Sequence, residues 1–351
     1  MKGIVYGLLL GITLLLLGVT LWSAEAIAGE DPFAEFISPV SNPTNFEDAR
    51  IESDVRLIYI YHSINNNFLG DVSTLGLPQV QPPGGNAQIL SLQARIKLTD
   101  RLALIATKDS YVWLDPAHDT DNVVKDGSGY ANVAAGLKYN FFRDVTLPAL
   151  ATAGLRYEPP SGEPQVLQGS VFRTHNLSAL GLPDVDLHHR GNGMLNVFAS
   201  GVWGDRNLHV LAYTGPRLAL SGLDSSFWDL SVHADYKVWN LYPLIELNWI
   251  HVLEGGSRLR PIEDGLRALT KNPKLKLDQE GFDFFNLGAP SAGGENMATL
   301  ALGWRWRIVD GLDVLGQSGG LDFGAVGELP IGSRQGIFDW RVTTDLVFWV
   351  L

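Results

Sequence analysis

The sequence predicts an all-β protein, an antiparallel up-and-down barrel of about twelve strands, which is an even number. Three observations predict this fold. Segments with a two-residue period recur along the chain, the connections between them alternate between short and long, and aromatic residues cluster at both ends of the strands. A period of two indicates a strand, because successive side chains leave it on opposite faces. A strand with one apolar face and one charged face fits either a soluble sandwich or a barrel whose outside faces lipid, and the connections and the aromatic residues favour the barrel.

The N-terminus has the order of a secretory signal peptide. Lys2 is followed by an apolar run over residues 4–21 and by small residues that end in Ala28. A basic start, an apolar segment and an Ala-x-Ala site are typical of such a signal, and we expect cleavage after Ala28. The alternative is a retained membrane anchor, because the apolar run is long enough to span a bilayer.

Composition narrows the class of protein. The chain has no cysteine, so no disulfide framework holds it together, and its net charge of -12 argues against nucleic acid, which requires a basic surface. After the signal no apolar run is long enough for a membrane helix, so strands must make any membrane crossing. We therefore expect a signal peptide over 1–28, a polar periplasmic leader over 29–51 and the barrel over 52–351.

Taken in order, the period-two segments define the predicted strands. In the last of them Trp340, Val342 and Leu346 share one face, and Arg341 and Asp345 share the other. The full set covers residues 52–62, 86–98, 102–113, 129–141, 147–158, 194–203, 207–219, 227–238, 243–253, 296–308, 312–327 and 338–350.

The connections differ systematically in length. Short turns fall at residues 99–101, 143–144, 204–206, 239–241 and 309–311, and long segments at 63–85, 114–128, 159–193 and 254–295, with shorter ones at 220–226 and 328–337. Short periplasmic turns that alternate with longer outer loops are typical of an outer-membrane barrel. A soluble sandwich gives no reason to sort its loops in this way.

The charged faces need water, because burying unpaired charge in a dry core is too costly. That water lies outside a sandwich or inside a barrel, and the aromatic residues distinguish the two. At the short-turn ends they are Phe141, Phe142, Trp203, Trp239, Tyr242, Trp304, Trp306 and Trp349. At the long-loop ends they are Tyr111, Trp113, Tyr130, Tyr157, Phe227, Trp228, Trp249, Phe338 and Trp340. Two aromatic belts indicate two membrane interfaces.

With these features the chain resembles a Gram-negative outer-membrane β-barrel of the porin-like kind, over roughly residues 52–351. It is similar to uncharacterised outer-membrane transporter barrels through 136–139 (Gly-Leu-Lys-Tyr) and 154–157 (Gly-Leu-Arg-Tyr). It departs from them in ending on Leu351 rather than on an aromatic residue. The resemblance implies an outer-membrane location, contact with membrane lipid, passage of small solutes and recognition of Phe338–Leu351 by the barrel-assembly machinery. The sequence does not decide between a monomer and an oligomer.

Charged side chains in the lumen are the candidate functional residues. Near the short-turn end, parity turns seven bases inward: Arg56, Arg95, Lys97, Lys138, Lys237, Arg305 and Arg307. Inward acids lie higher or in mid-barrel: Asp229, Asp235, Glu246 and Asp345. A ring of fixed positive charge would favour anions. The alternative is that these bases pair with neighbouring acids and that the lumen is plugged.

The sequence also does not determine the width of the pore. A barrel of eight strands is filled by its side chains and one of sixteen holds an open channel, so twelve strands allow either a narrow pore or a plugged one. The segment 254–295 either folds into the lumen or is a solvated surface loop, with a helical turn at Leu266–Leu269. The residues His118, His188 and His189 fit solvated loops better than a metal site.

The sequence therefore predicts an outer-membrane channel for passive diffusion of small hydrophilic solutes, with a preference for anions. The alternative is a closed barrel that acts as a structural or surface-binding scaffold. A third reading is a lipid hydrolase using Ser226, His251 and Asn296, although the His-x-Ser spacing of such enzymes is absent. No catalytic residue, metal motif or cofactor motif is expected.

Overall fold

The computed structural model describes residues 32–65, 84–115, 127–162, 168–169, 185–186, 191–281, 283–314, 316–332 and 338–350. Its strands are β1 Ser53–Ile64, β2 Asn86–Thr99, β3 Leu102–Asp115, β4 Gly127–Tyr130, β5 Ala135–Asp144, β6 Ala149–Glu158, β7 Gln168–Gly169, β8 Val185–Asp186, β9 Met194–Gly204, β10 Leu208–Ala219, β11 Ser226–Tyr236, β12 Leu241–Glu254, β13 Asn296–Val314, β14 Gln317–Ile331 and β15 Phe338–Val350. One helix, α1, covers Arg260–Thr270. Among these described residues no helix has the length and apolar character needed to cross a membrane.

The sheet closes on itself as an antiparallel barrel of twelve strands, which confirms the predicted fold class. Wall strands that are adjacent in sequence pair with each other, and β15 pairs with β1, with Val347 opposite Arg56. Both β4 and β5 lie beside β3 and together form one wall strand. The two-residue strands β7 and β8 pair only with each other among the described residues.

Several predicted boundaries differ from the observed ones: the predicted turn at 143–144 lies within β5, and the predicted connection at 328–337 overlaps the end of β14. Two further differences have a visible structural cause. The strand over 129–141 is interrupted at 131–134, where Asn132 is buried and its side-chain oxygen accepts a hydrogen bond of 2.7 Å from the Gly162 amide. The predicted turn at 309–311 lies within β13, which continues to Val314. The pairing shifts register on both sides of 309–311, and Gly311 has a φ of +70°. A glycine at positive φ allows a bulge where the sequence suggests a hairpin.

The outer face of the barrel is apolar. Leu137 and Trp228 are 46% and 39% exposed although both are large apolar residues on wall strands. Most of the predicted belt residues also point outward, but Phe227, Tyr242 and Trp349 are buried and face the lumen. Parity explains the correction, because each of these three residues has the phase of the inward charged positions on its own strand.

Two segments outside the wall fill the lumen. The first, here called the N-terminal segment, comprises residues 32–52 and enters at the end of the barrel with the short connections. It rises to a turn at Asn42, where φ is +48° and the carbonyl accepts a 2.9 Å bond from the Phe46 amide, and then descends into β1. The sequence suggests a leader below the barrel, but this segment lies inside it.

The second, here called the upper loop, comprises residues 255–295 and includes α1. It folds over the end of the barrel with the long connections. Its apolar side chains join the inward ones at the tops of the strands in one buried cluster. The loop therefore adopts the inward alternative, and the predicted helical turn at Leu266–Leu269 lies within α1.

Candidate functional site

The seven predicted bases line the lower half of the lumen, as parity suggests. Five of them are at most 3% exposed, whereas the side chains of the other two, Lys97 and Lys237, are 31% and 26% exposed. The wall strands carry these side chains inward at neighbouring levels, so that a band of positive charge follows the inside of the barrel. The five buried bases are Arg56, Arg95, Lys138, Arg305 and Arg307.

Glu47 of the N-terminal segment is the acid at the centre of this band. The Arg95 guanidinium binds its carboxylate in a bidentate way, with Nε donating to Oε1 at 2.7 Å and Nη2 donating to Oε2 at 2.8 Å. Lys138 Nζ donates to Oε1 at 2.9 Å. On the wall itself Asp54 accepts from Arg95 Nη1 at 3.0 Å. Burial raises the pKa of Glu47, but Arg95 and Lys138 more than offset it and hold that pKa well below its usual range.

Arg56 and Arg305 share one acid, Asp345. Arg305 Nη2 donates to Asp345 Oδ2 at 2.7 Å, and Arg56 Nε lies 4.0 Å from the same oxygen. Gly324 lies between Arg305 and Asp345 in the register of the sheet. A Cβ at this glycine would come within 2.4 Å of Asp345 Oδ1 and 2.9 Å of Val40 Cγ2. The absence of a side chain therefore allows the ion pair and the N-terminal segment to approach the wall.

Glu35 neutralises the band near the short-turn mouth. Its carboxylate lies 2.5 Å from Lys237 Nζ and 3.5 Å from Arg307 Nη1, and it accepts from the Tyr242 hydroxyl at 3.1 Å. Burial raises the pKa of Glu35, but Lys237 outweighs that effect, with further help from Tyr242 and Arg307, so the pKa is lowered. The remaining predicted base, Lys97, pairs with a short-turn acid at 3.2 Å.

The predicted inward acids also have partners. Glu246 accepts from the Val40 and Ser41 amides at 2.8 and 2.6 Å, and it contacts His233 Nδ1 at 2.7 Å. The other ring nitrogen of His233 lies 2.9 Å from Asp235. This arrangement binds the backbone of the N-terminal segment to the opposite side of the wall from Arg95.

The fourth acid, Asp229, pairs with Arg217, which the sequence analysis misses because the register of the strand over 207–219 is poorly defined by its pattern. Arg156 is also missed. It donates to the Thr44 carbonyl at 2.5 Å and to the Asn45 carbonyl at 3.1 Å, and so holds the turn of the N-terminal segment. Because the prediction places that segment outside the barrel, nothing in the wall pattern points to these contacts.

The upper loop is held differently. One ion pair joins Asp283 to Arg341 on β15 at 2.8 Å. The Glu280 carboxylate accepts from Ser225 Oγ at 2.6 Å, and burial raises its pKa. Other polar contacts of the loop join it to the neighbouring connection over 220–226, as in the ion pair of Arg258 with Asp224 and the hydrogen bonds of Asn286 with the Ser225 backbone. The rest of the contact is apolar and includes the loop residues Leu259, Ile262, Leu266, Leu277, Phe284, Phe285, Leu287, Ala289 and Ala292.

The electrostatic result is that the N-terminal segment covers the basic band. Described residues 32–52 contain four acids and one base, a net charge of −3. The five buried bases are paired with acids of this segment or of the wall. This conformation therefore matches the alternative in which the inward bases pair with acids and the lumen is plugged. It also leaves the band inaccessible to a hydrated solute, and we regard it as a closed conformation.

The residues considered for lipid hydrolysis do not form a catalytic group in the described part of the chain. His251 Nδ1 contacts Asn296 Oδ1 at 3.1 Å, and Ser226 Oγ accepts from the Ala219 amide at 3.0 Å. No hydrogen bond joins Ser226 to His251. His118, His188 and His189 lie outside the described residues, which contain no group of three or more possible metal ligands.

No family model matches the sequence, and no curated protein matches it. Among solved structures, the barrel is similar to an outer-membrane channel from Pseudomonas putida F1, with a TM-score of 0.51, 11% identity, and coverage of 93% of this chain and 100% of that one. A likeness at this identity shows a shared fold. The fold is therefore that of a Gram-negative outer-membrane β-barrel, as the sequence predicts.

Two further barrels are less similar. The β domain of the Bordetella autotransporter BrkA has a TM-score of 0.42 at 10% identity, with coverage of 86% of this chain and 99% of that one. LpxR from Salmonella typhimurium has a TM-score of 0.39 at 10% identity, with coverage of 84% and 99%.

Proposed function

We propose that this protein is an outer-membrane channel that passes small hydrophilic solutes and favours anions when the N-terminal segment leaves the lumen. One observation carries the proposal: the N-terminal segment, with a net charge of −3, enters from the short-turn mouth and lies on a band of inward bases. Fixed charge inside a narrow pore sets ion selectivity. Withdrawal of Glu35 and Glu47 would leave that band positive.

The charges of the wall support an anion preference. Three wall bases act on Glu47, namely Arg95, Lys138 and Arg156, and the wall acid in contact with them is Asp54, which pairs with Arg95. While Glu47 is present, the excess positive charge is partly neutralised. Without it, three bases face one acid around this stretch of the lumen, and an entering anion would be attracted there.

The same proposal covers location and partners. The exposed apolar face would contact outer-membrane lipid, and export would begin with cleavage after Ala28. Assembly would use Phe338–Leu351, whose described part forms the strand that closes the barrel against β1. These points follow the resemblance of the sequence to outer-membrane barrels and await direct measurement.

The test is electrical. Purified full-length mature protein is inserted into a planar bilayer with a tenfold gradient of potassium chloride, and the reversal potential is recorded. We expect discrete ohmic steps and a reversal potential of the sign that anion preference requires. A reversal potential of the opposite sign would remove the anion preference, and a barrel without conductance under all voltages would remove the channel.

One observation favours the scaffold alternative. The lumen is filled from both ends, because the upper loop packs against the tops of the strands through an apolar cluster while the N-terminal segment fills the lower half. A permanently closed barrel would present its long loops without passing solute. It would give no current even when the contacts of Glu47 are removed, whereas a gated channel would conduct more.

A further inference from the structure

We infer that Arg95 and Lys138 form a binding site for the carboxylate of a small monocarboxylate solute, and that Glu47 occupies this site as an internal ligand. The inference rests on the proposed channel, because the site becomes accessible only when the N-terminal segment is displaced. It adds a substrate class to that proposal. The two claims are separable, since a channel for chloride requires no carboxylate site.

The geometry is that of recognition of a carboxylate by a fixed set of donors. Arg95 presents Nε and Nη2 to the two oxygens of Glu47 at 2.7 and 2.8 Å, and Lys138 adds a third donor at 2.9 Å. A planar guanidinium fork matches a carboxylate in this bidentate way. Both bases are 1% exposed, so water does not weaken these contacts.

Both donors belong to the wall, and Arg95 is also held there independently of Glu47. Among the described residues, Lys138 Nζ donates only to the N-terminal segment, at Glu47 and at the Asp48 carbonyl. Arg95 lies on β2 and donates its Nη1 to Asp54 of β1 at 3.0 Å, in register with it across the sheet. Lys138 lies on β5, on the far side of β3. The strands that carry the two bases are thus part of the closed barrel, whereas the acceptor belongs to the segment that fills it. A solute could replace the acceptor without rebuilding the donors.

The local charge favours a monoanion. Among the wall groups in direct contact at the site, Arg95 and Lys138 contribute two positive charges and Asp54 contributes one negative charge, so these groups carry one excess positive charge. One carboxylate neutralises it. Arg156 acts on Glu47 from further away, and its own donors face the Thr44 and Asn45 carbonyls. Other contacts of the N-terminal segment are less easily reproduced by a solute, since Glu246 and Arg156 bind backbone groups at Val40, Ser41 and Thr44.

The experiment uses the full-length mature chain with Glu47→Gln, which removes the negative charge of the internal ligand. Binding of sodium acetate is measured by isothermal titration calorimetry in detergent, and chloride current through the same variant is recorded with increasing acetate. We expect saturable acetate binding and a matching reduction of chloride current. Acetamide, a neutral molecule of the same shape, should do neither.

Further variants localise the effect. Adding Arg95→Met to Glu47→Gln removes two of three donors and should weaken acetate binding about tenfold or more. The matched control adds Lys97→Met, which removes one base from the next inward position of the same strand but not from the Glu47 site, and it should leave acetate binding within about twofold. Circular dichroism and heat-dependent migration establish that each variant is folded.

The outcomes separate the two claims. Chloride current without acetate binding would overturn the carboxylate site and leave the channel intact. Acetate binding without current in any variant would support the site and overturn the channel. Equal loss of binding in the Arg95→Met and Lys97→Met variants would show only a general effect of positive charge, and would overturn the assignment to Arg95 and Lys138. Tighter binding of inorganic phosphate than of acetate would overturn the assigned substrate class.

Discussion

The lower and upper halves of the lumen are filled by different kinds of contact. Below, the N-terminal segment lies on charged side chains, as in the fork between Glu47 and Arg95. Above, the upper loop packs through apolar side chains such as Phe284. When a charged group leaves its partner it can be stabilised by water or by another ion, whereas an exposed apolar side chain gains no such replacement. The two fillings should therefore respond to different perturbations.

Truncation in the apolar cluster should give the largest effect, and only in the upper half. Phe284 is 1% exposed, so Phe284→Ala should destabilise the packing of the upper loop by about 3 to 5 kcal/mol. Hydrogen exchange should quicken for amides of residues 277–289 and stay unchanged for residues 40–48. Lys274→Ala, at an exposed position of the same loop, is the control. Equal acceleration in both regions would show that the halves are not independent.

Removing the charge of Glu47 should produce the reverse pattern. Glu47→Gln leaves Arg95 and Lys138 buried without a full countercharge, which should weaken the docking of the N-terminal segment by about 3 kcal/mol. Exchange should quicken over residues 40–48, and the mean current should rise. Glu35→Gln is the control, because the Glu35 side chain is 40% exposed and its pairs should contribute at most about 1 kcal/mol. An unchanged exchange pattern in Glu47→Gln would contradict the assigned role.

Raising the pH should also loosen the lower half, by a somewhat smaller amount. The pKa of Glu52 is raised to about 7. Burial is the largest cause; Arg50 opposes it, and Asp48 and Asp54 add to it. A carboxyl whose pKa is raised in the docked state stabilises that state below its ordinary pKa of 4.5, and this stabilisation is lost as the pH rises through 7. Between pH 5 and pH 8 the loss is about 2.5 kcal/mol, because part of the change falls below pH 5.

Channel current recorded at pH 5 and pH 8 tests this dependence. We expect more frequent opening at pH 8 in the natural sequence and a weaker dependence in Glu52→Gln, whose amide does not ionise. Glu47 should not contribute over this range, because its lowered pKa keeps it ionised throughout. Equal pH dependence in both proteins would exclude Glu52 as its source.

The smallest effect is expected at the rim of the band. Lys97 pairs with Asp100, whose side chain is 85% exposed, and an exposed pair contributes at most about 1 kcal/mol. Lys97→Met should therefore leave exchange in the N-terminal segment and the upper loop within error of the natural sequence. A loss comparable to that of Glu47→Gln would mean that total charge, and not the buried contacts, holds the segment.

The sequence predicts the wall well because a buried or lipid-facing strand imposes a two-residue period on its side chains. The same parity that turns Asp345 inward also places Arg341 there, and the structure buries both. Prediction from the two-residue period fails where a segment has no such period. Glu47 lies in a polar, proline-rich stretch that is indistinguishable from a solvated leader, so its contact with Arg95 could not be anticipated from any repeating pattern.

Local departures from the period also limited the prediction. The bulges around 309–311 keep β13 extended past a stretch that looks like a turn, and the interruption at 131–134 splits a strand that reads as continuous. Both depend on pairing with neighbouring strands, which the local sequence does not encode.

A reversible disulfide between the N-terminal segment and the wall tests the central claim most directly. The chain contains no cysteine, and Ser41 of the N-terminal segment faces Asn248 of β12, whose Nδ2 donates to Ser41 Oγ at 2.9 Å. Cysteines at these two positions would place their sulfurs close enough to form a disulfide after a small side-chain adjustment. In Ser41→Cys/Asn248→Cys, oxidation should abolish the current and reduction should restore it, while the current through either single variant should not respond to oxidation. Undiminished current through the fully oxidised double variant would show that solutes pass with the segment in place, and would contradict its role as the closing element.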